Sequence, residues 1–261
     1  MGRVDGKVAI ITGASSGVGR AIAIGFGHEG ARIVCSDIRA DARPEGYEDD
    51  GHMATAEVIT AKGGQACFVQ ADVTHGKAVE SLVQQAVERF GRLDIMVNNA
   101  GVFTRLAPIH EKTEEEYDFT MAVNAKGVWN GCQQAIRQFL KQGDGGKIVN
   151  IVSIAGVIGL PEEPAYCASK AAAANLTRQL AVDYGQHGIN VNAICPNFLT
   201  TAMTRPFHED QDIKSTVEDI TPLQRWGTAQ DLVGPAIFLA SAESAYVTGS
   251  LLMVDGGFTA K

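Results

Sequence analysis

The chain has 261 residues, 45% hydrophobic and 20% charged, a makeup that suits one soluble globular domain. Its 22 Lys+Arg against 30 Asp+Glu give a formal net charge of −8, which repels phosphate backbones and excludes a nucleic-acid partner. No apolar stretch is long enough to span a bilayer and the start of the chain lacks a signal-peptide core. Five scattered cysteines without a CxxC exclude a disulfide framework, so a cytoplasmic protein is expected, and six histidines without ligand spacing suggest no metal.

The first predicted strand, 7–12, carries the apolar run Val8-Ala9-Ile10-Ile11. It leads into Thr12-Gly13-Ala14-Ser15-Ser16-Gly17-Val18-Gly19, and a helical pattern follows over 18–29. Glycines between a buried strand and a helix let the backbone approach a pyrophosphate. The helix start then meets it with free N–H groups and partial positive charge. The second strand, 32–37, ends on Asp37, the place where an acidic residue accepts hydrogen bonds from an adenosine ribose and repels a 2′-phosphate. That favours NAD over NADP. Arg39 would soften the preference, whereas Ser15 and Ser16 stand where a basic residue would hold a 2′-phosphate.

Residues 39–52, RADARPEGYEDDGH, break the rhythm: polar, acidic, and interrupted by Pro44, Gly46 and Gly51. Two readings stand: a solvated loop, or a cover over the adenosine with Tyr47 packed on the adenine. Helical patterns at 54–61, 77–90, 114–140, 165–187 and 229–241 then alternate with strands at 66–70, 94–98, 147–153, 190–195 and 251–254. Strict alternation predicts a single doubly wound Rossmann domain over 1–261, with about seven parallel strands and helices on both faces. Tyr166 and Lys170, at i and i+4 spacing, share one helix face, and Ser153 ends the fifth predicted strand, at the edge where such sheets bind ligands. A cationic Lys170 beside the phenol favours phenolate and would lower the tyrosine pKa toward neutrality.

On its T-G-x-x-x-G-x-G turn, Asn98-Asn99-Ala100-Gly101, Asn124, Ser153, Tyr166-Cys167-Ala168-Ser169-Lys170 and the C-terminal Val254-Asp255-Gly256-Gly257, the chain resembles the short-chain dehydrogenase/reductase family. The resemblance implies hydride transfer between NAD(H) and a secondary alcohol or ketone, with Tyr166 as general acid–base, Ser153 holding the substrate oxygen, Lys170 also reaching the nicotinamide ribose, and Asn124 fixing a water near Lys170. It implies a cofactor surface of Gly13, Ser15, Ser16, Gly17, Val18 and Gly19, then Asp37 and Ile38, with Asp72 and Val73 holding the adenine. Asn98, Asn99, Ala100 and Gly101 would line the dinucleotide and steady the sheet. Ile194 or Pro196, with Thr201, would lie near the carboxamide. A homotetramer is also implied, built on the two long helices and the C-terminal strand.

Substrate specificity is expected in 103–106, 154–163 and a lid at 198–220. Leu160, Phe198, Met203 and Phe207 offer apolar walls. Asn197 stands where the family usually has glycine; its turn is expected to need φ > 0, with substrate contact as the second reading. The lining suits a cyclic or medium-sized secondary alcohol, or a polyol. The alternatives are an NADPH-dependent 3-oxoacyl-carrier-protein reductase, which Asp37 and the acidic charge oppose, and a catalytically silent NAD-binding regulator, which the intact Asn124, Ser153, Tyr166 and Lys170 oppose.

Overall fold

A computed structural model of the chain describes residues 2–260. Seven strands form one parallel sheet: β1 (Val8–Thr12), β2 (Arg32–Asp37), β3 (Gln65–Gln70), β4 (Ile95–Asn98), β5 (Gly146–Ile151), β6 (Ile189–Pro196) and, last in sequence, β9 (Leu251–Val254). Their spatial order is β3-β2-β1-β4-β5-β6-β9, and every pairing is parallel. The connecting helices are α1 (Gly17–His28), α2 (Thr55–Ala61), α3 (Gly76–Phe90), α4 (Glu114–Met121), α5 (Gly127–Gln142), α6 (Pro164–Tyr184) and α9 (Val233–Ala240).

Near-continuous apolar strands follow from a sheet covered on both sides, and alternate residues serve opposite layers. Ala9, Ile11, Ile95 and Val97 pack in one core cluster with Ile22, Phe26 and Ile237, beneath α1 and α9. Ile10 and Met96 point the other way, into a cluster with Leu82, Cys132 and Phe139 from α3 and α5. Asn98 and Asn150, buried in this interior, are paired. Asn98 Nδ2 donates to Asn150 Oδ1 at 2.8 Å across the β4–β5 register, and Asn150 Nδ2 donates to Thr177 Oγ1 at 2.9 Å. Unpaired, each would carry a desolvation cost.

The strand order reverses between β1 and β4, so the segments after these strands diverge and open a crevice at the carboxyl edge. Three local features differ from the sequence expectation. The helix expected over 114–140 is interrupted by a π turn, Ala122–Lys126, which re-phases α5 relative to α4. The fifth strand stops at Ile151, placing Ser153 in the loop beyond it as the cap of a short 3₁₀ turn, Ile154–Gly156. The lid contains two helices, α7 (Arg205–Glu209) and α8 (Gln211–Ile220), and a small separate ribbon in which β7 (Leu199–Thr200) pairs with β8 (Gly227–Thr228). Among the described residues no helix is long and apolar enough to cross a membrane, and no cluster of three His, Cys, Asp or Glu is arranged to hold a metal ion.

Candidate active site

The crevice is a single cleft of about 560 Å³ that runs from the β1–α1 turn to the lid. At one end the glycine turn is drawn tight. Gly17 has φ +54°, a left-handed backbone that side chains disfavour. A Cβ on Gly19 would stand 2.1 Å from the Gly13 carbonyl oxygen, so only glycine allows α1 to start this close to the strand end. Asn99 holds the turn from the side: its Nδ2 donates to the carbonyls of Thr12 (2.9 Å) and Gly13 (3.1 Å), while Thr12 Oγ1 accepts from the N–H groups of Asn99 and Ala100. Ser15 N donates to Asp37 Oδ2 at 3.2 Å and Ile38 N to Asp37 Oδ1 at 2.8 Å, which fixes the carboxylate at the end of β2. Asp37, Ile38, Asp72 and Val73 all line the cleft, as do Ala100, Gly101, Pro196 and Thr201. Ile194 is fully buried in the sheet, which leaves Pro196 as the cleft residue of that pair. Asn98 likewise belongs to the core, bonded to Asn150. Asp72 also ties down the approach to α3: its Oδ1 accepts from Thr74 N at 2.9 Å and Thr74 Oγ1 at 2.8 Å.

Ser153, Tyr166 and Lys170 converge at the middle of the cleft. Lys170 is buried, and its Nζ donates to the Ile151 carbonyl at 3.0 Å and lies 5.6 Å from the centre of the Tyr166 ring. The electrostatics depart from the sequence expectation. Burial pushes Lys170 down to about 8. Burial also raises the Tyr166 phenol above its ordinary value; Glu163 adds to the rise, and a hydrogen bond with Ser153 opposes it. Burial, and not the charge of Lys170, dominates the phenol here. Glu163, buried at the start of α6, is itself raised to about 7 by burial, against the pull of Lys112. No spacing rule points to Glu163, since glutamates just before a helix are ordinary.

Asn124 sits inside the π turn, completely buried. Both its amide protons are engaged, one on the Val102 carbonyl (2.9 Å) and one on Ser169 Oγ (3.2 Å), while Oδ1 accepts from Val102 N at 2.8 Å. A lone pair on Oδ1 is what remains for a water. Gly101 keeps that side open: a Cβ there would come within 3.4 Å of Asn124 Oδ1 and 3.7 Å of Lys170 Nζ.

The expected substrate residues divide. Met203 and Asn197 line the cleft. Phe207 contacts Phe103 edge-on at 5.8 Å, and Phe103 contacts Tyr166 at 5.3 Å, so an aromatic chain links the lid to the phenol. Phe198 instead packs on Trp226 at 5.4 Å; neither it nor Leu160 is among the lining residues. Asn197 does not take the left-handed backbone expected of it: among the described residues only Glu162 and Gln224 have positive φ without being glycine. Its Nδ2 is held by Thr221 Oγ1 and the Asp255 carbonyl, both at 3.3 Å, and the positive φ values fall on Gly256 and Gly257 next door. The Asn197 Oδ1 is left buried and without a partner. Phe119 and Val123, at i and i+4 across the junction of α4 and the π turn, also line the cleft, and the sequence reading did not single them out.

Residues 39–52 make specific contacts with both the glycine turn and the lid. The segment is pinned across the glycine turn, with the Glu48 carboxylate accepting from Gly17 N, and Tyr47 turned toward the lid, its hydroxyl 3.3 Å from His208 Nδ1. An anionic group resting on the start of α1 is a stand-in for phosphate, so the turn fits the pyrophosphate of a dinucleotide.

The profile of a family described as enoyl-(acyl carrier protein) reductase matches residues 13–259. The 2-dehydro-3-deoxy-D-gluconate 5-dehydrogenase of Dickeya dadantii is 42% identical over 258 residues, covering 99% of this chain and 97% of that protein. The crystal structure of carveol dehydrogenase from Mycobacterium avium in complex with NAD superposes with a TM-score of 0.91 at 34% identity, covering 100% of both chains. A gluconate 5-dehydrogenase from Burkholderia cenocepacia, in complex with NADP and tartrate, gives 0.90 at 34% identity, over 99% of this chain and 97% of that one. With a family match over nearly the whole chain and the strand order and turn just described, the chain belongs to the short-chain dehydrogenase/reductase family of oxidoreductases.

Proposed function

We propose that this enzyme interconverts a secondary alcohol and its ketone using NAD(H). The observation that carries the reading is the continuity of one cleft. Its one end presents the glycine turn and Asp37, and further along it Ser153, Tyr166 and Lys170 come together. Bound NAD would supply the acceptor and donor of hydride. The chain would supply position and protons. Tyr166 takes the hydroxyl proton of the alcohol, or returns one to the ketone oxygen, and Ser153 holds that oxygen beside the phenol. Lys170 at about 8 is mostly protonated at neutral pH, so its charge is available to favour phenolate once a substrate excludes water. Asp37, held by two backbone N–H groups, opposes a 2′-phosphate, which supports NAD over NADP.

Apolar Phe119, Val123 and Met203 share the lining of the cleft with polar Ser153 and Asn197. This mixed lining supports a medium-sized or cyclic secondary alcohol carrying further hydroxyls, and the named activity of the Dickeya relative, on a sugar acid, agrees with it. The test is nicotinamide absorbance over a panel of secondary alcohols and polyols, with NAD⁺ and NADP⁺ compared and Tyr166→Phe as the blank. Turnover with NAD⁺ that the variant lacks is expected; equal turnover in the variant would remove Tyr166 from the chemistry. A homotetramer is inferred from the resemblance, and the half-exposed Trp129 on α5 and the exposed Val182 on α6 offer apolar surface for it. Light scattering behind gel filtration reads the assembly directly.

A further inference from the structure

We propose that the 39–52 segment is a latch that occupies the pyrophosphate cradle with its own carboxylate, and that dinucleotide binding must displace Glu48 and in doing so loosens the segment's hold on the lid. The inference rests on the dinucleotide reading above and concerns how that site is gated.

Glu48 Oε1 accepts a hydrogen bond from the backbone N–H of Gly17, the first residue of α1. The opening N–H groups of a helix have no partner within it and carry the positive end of its dipole. They are the donors a pyrophosphate needs, and here a side chain from 31 positions along the chain has taken one of them. Ser16, the N-cap, does not cap with its side chain. Its Oγ instead accepts from Arg43 N at 2.7 Å, while Ser15 Oγ donates to the Arg39 carbonyl at 2.6 Å. The two serines that would face phosphate are therefore engaged by the same segment. Its far end is fixed by a separate contact to a side chain of α1. Arg20, 1% exposed, donates to the Asp50 carbonyl at 2.9 Å and to Asp50 Oδ1 at 2.8 Å, so the segment can swing without detaching.

The next residue back along the chain from Glu48 makes the connection to the substrate side. The Tyr47 ring meets the His208 ring edge-on at 5.7 Å, and the Arg205 guanidinium carbon lies 5.4 Å from its centre. Arg205 also donates to the Glu45 carbonyl at 3.2 Å. Both Arg205 and His208 belong to α7, the first helix of the lid. A carboxylate and a pyrophosphate cannot share one set of donors without like-charge repulsion in a partly desolvated cleft. Removing Glu48 from Gly17 therefore shifts Tyr47 and relaxes the hold on α7. Cofactor binding then precedes and permits lid movement for the substrate.

The test is calorimetric titration of the full chain with ADP-ribose, which carries the pyrophosphate, and with adenosine, which lacks it, for wild type, Glu48→Ala and Glu48→Gln. ADP-ribose is expected to bind at least tenfold more tightly to Glu48→Ala, with a smaller gain for the uncharged but isosteric Glu48→Gln. Adenosine affinity should change less than twofold. Hydrogen exchange across α7 should rise on adding ADP-ribose to wild type, and should already be raised in Glu48→Ala alone. Unchanged or weakened ADP-ribose binding in both variants, while wild type binds normally, overturns the latch and leaves the dinucleotide reading standing. An equal gain for adenosine also overturns it, because the competition would not be for pyrophosphate. Failure of ADP-ribose to bind any of the three chains overturns both.

Discussion

Replacing Lys170 by Met should abolish turnover yet stabilise the cofactor-free protein, by an amount that depends on pH in a calculable way. The folded chain holds this amine near 8, against an ordinary 10.5. Between those values the unfolded chain binds more protons than the folded one, so wild-type stability rises with pH through that window. Below it, the buried ammonium costs about 3 kcal/mol relative to the neutral amine. Against this stands the bond from Nζ to the Ile151 carbonyl, at 3.0 Å, worth about 1 kcal/mol. Met matches the length of the stem and fills the same space without a charge. The variant should therefore be more stable than wild type by about 2 kcal/mol near pH 6.5. The advantage should shrink by about 2 kcal/mol on going to about pH 9.5, as wild type sheds the buried charge. Urea denaturation of both chains at matched concentration, over that pH range, gives the difference directly, since the other titrating groups are common to both. A difference that stays constant with pH would refute the assignment of burial as the dominant influence on Lys170.

The site and its surroundings make further predictions. Tyr166→Phe should lower kcat by about 10²-fold or more while leaving binding of the reduced cofactor, read by its fluorescence, within about twofold. Asp37→Ser should raise kcat/KM for NADP⁺ relative to NAD⁺ by at least about tenfold if, as proposed, the carboxylate fixed by Ser15 and Ile38 repels a 2′-phosphate. Glu163→Gln removes a charge that raises the Tyr166 phenol, so the alkaline rise of kcat for oxidation should move to lower pH. Because burial lifts Glu163 from 4.5 to about 7, the folded chain binds the extra proton between those values and wild-type stability falls as pH rises through them. Glu163→Gln should lack that fall. Asp50→Ala should destabilise by only about 1 kcal/mol, read by thermal melts, because the Asp50 carboxylate is partly exposed and Arg20 keeps its bonds to the residue-50 backbone carbonyl and to Thr55 Oγ1.

Most of the sheet was legible because its strands are covered on both faces. Such strands read as short apolar runs, and Val8–Thr12, Arg32–Asp37 and Leu251–Val254 match the sequence reading within a residue. That Ser153, Tyr166 and Lys170 share one cleft was legible as a pattern of residue types, but their electrostatics were not. Charge pairing between Tyr166 and Lys170 follows from helical spacing, whereas burial of both depends on loops from distant parts of the chain. The π turn was hidden for a related reason. One extra residue per turn rotates the helix that follows without altering which residues are apolar, so the interruption leaves no mark in the hydrophobic pattern. Asn197 went wrong through analogy with glycine: its amide finds partners on Thr221 and Asp255 that hold an ordinary backbone, a tertiary effect that overrides the local preference for a turn.

The acidic segment marks the boundary of what a sequence can disclose here. Its length, charge and breakers identify it as something other than a plain connection between β2 and α2. Which of its acidic residues matters depends on where the backbone of Arg39 and Arg43 is fastened, and those fastenings are to Ser15 and Ser16 of the glycine turn. The two serines that the sequence offers to a phosphate thus also decide where the rival carboxylate rests. Asp50 is committed to Arg20 and Glu48 to Gly17, although both lie in one acidic stretch and differ little as residues. The distinction arises from packing: a buried guanidinium demands a permanent partner, while a helix start open to a cleft accepts any anion that reaches it. Asp50→Ala with Glu48 retained should weaken the hinge end, which keeps only the bond from Arg20 to the residue-50 carbonyl, and leave the cradle contact intact. Its ADP-ribose affinity should then move far less than that of Glu48→Ala. An equal gain in the two variants would mean that the segment excludes the ligand by bulk and not by charge at Gly17.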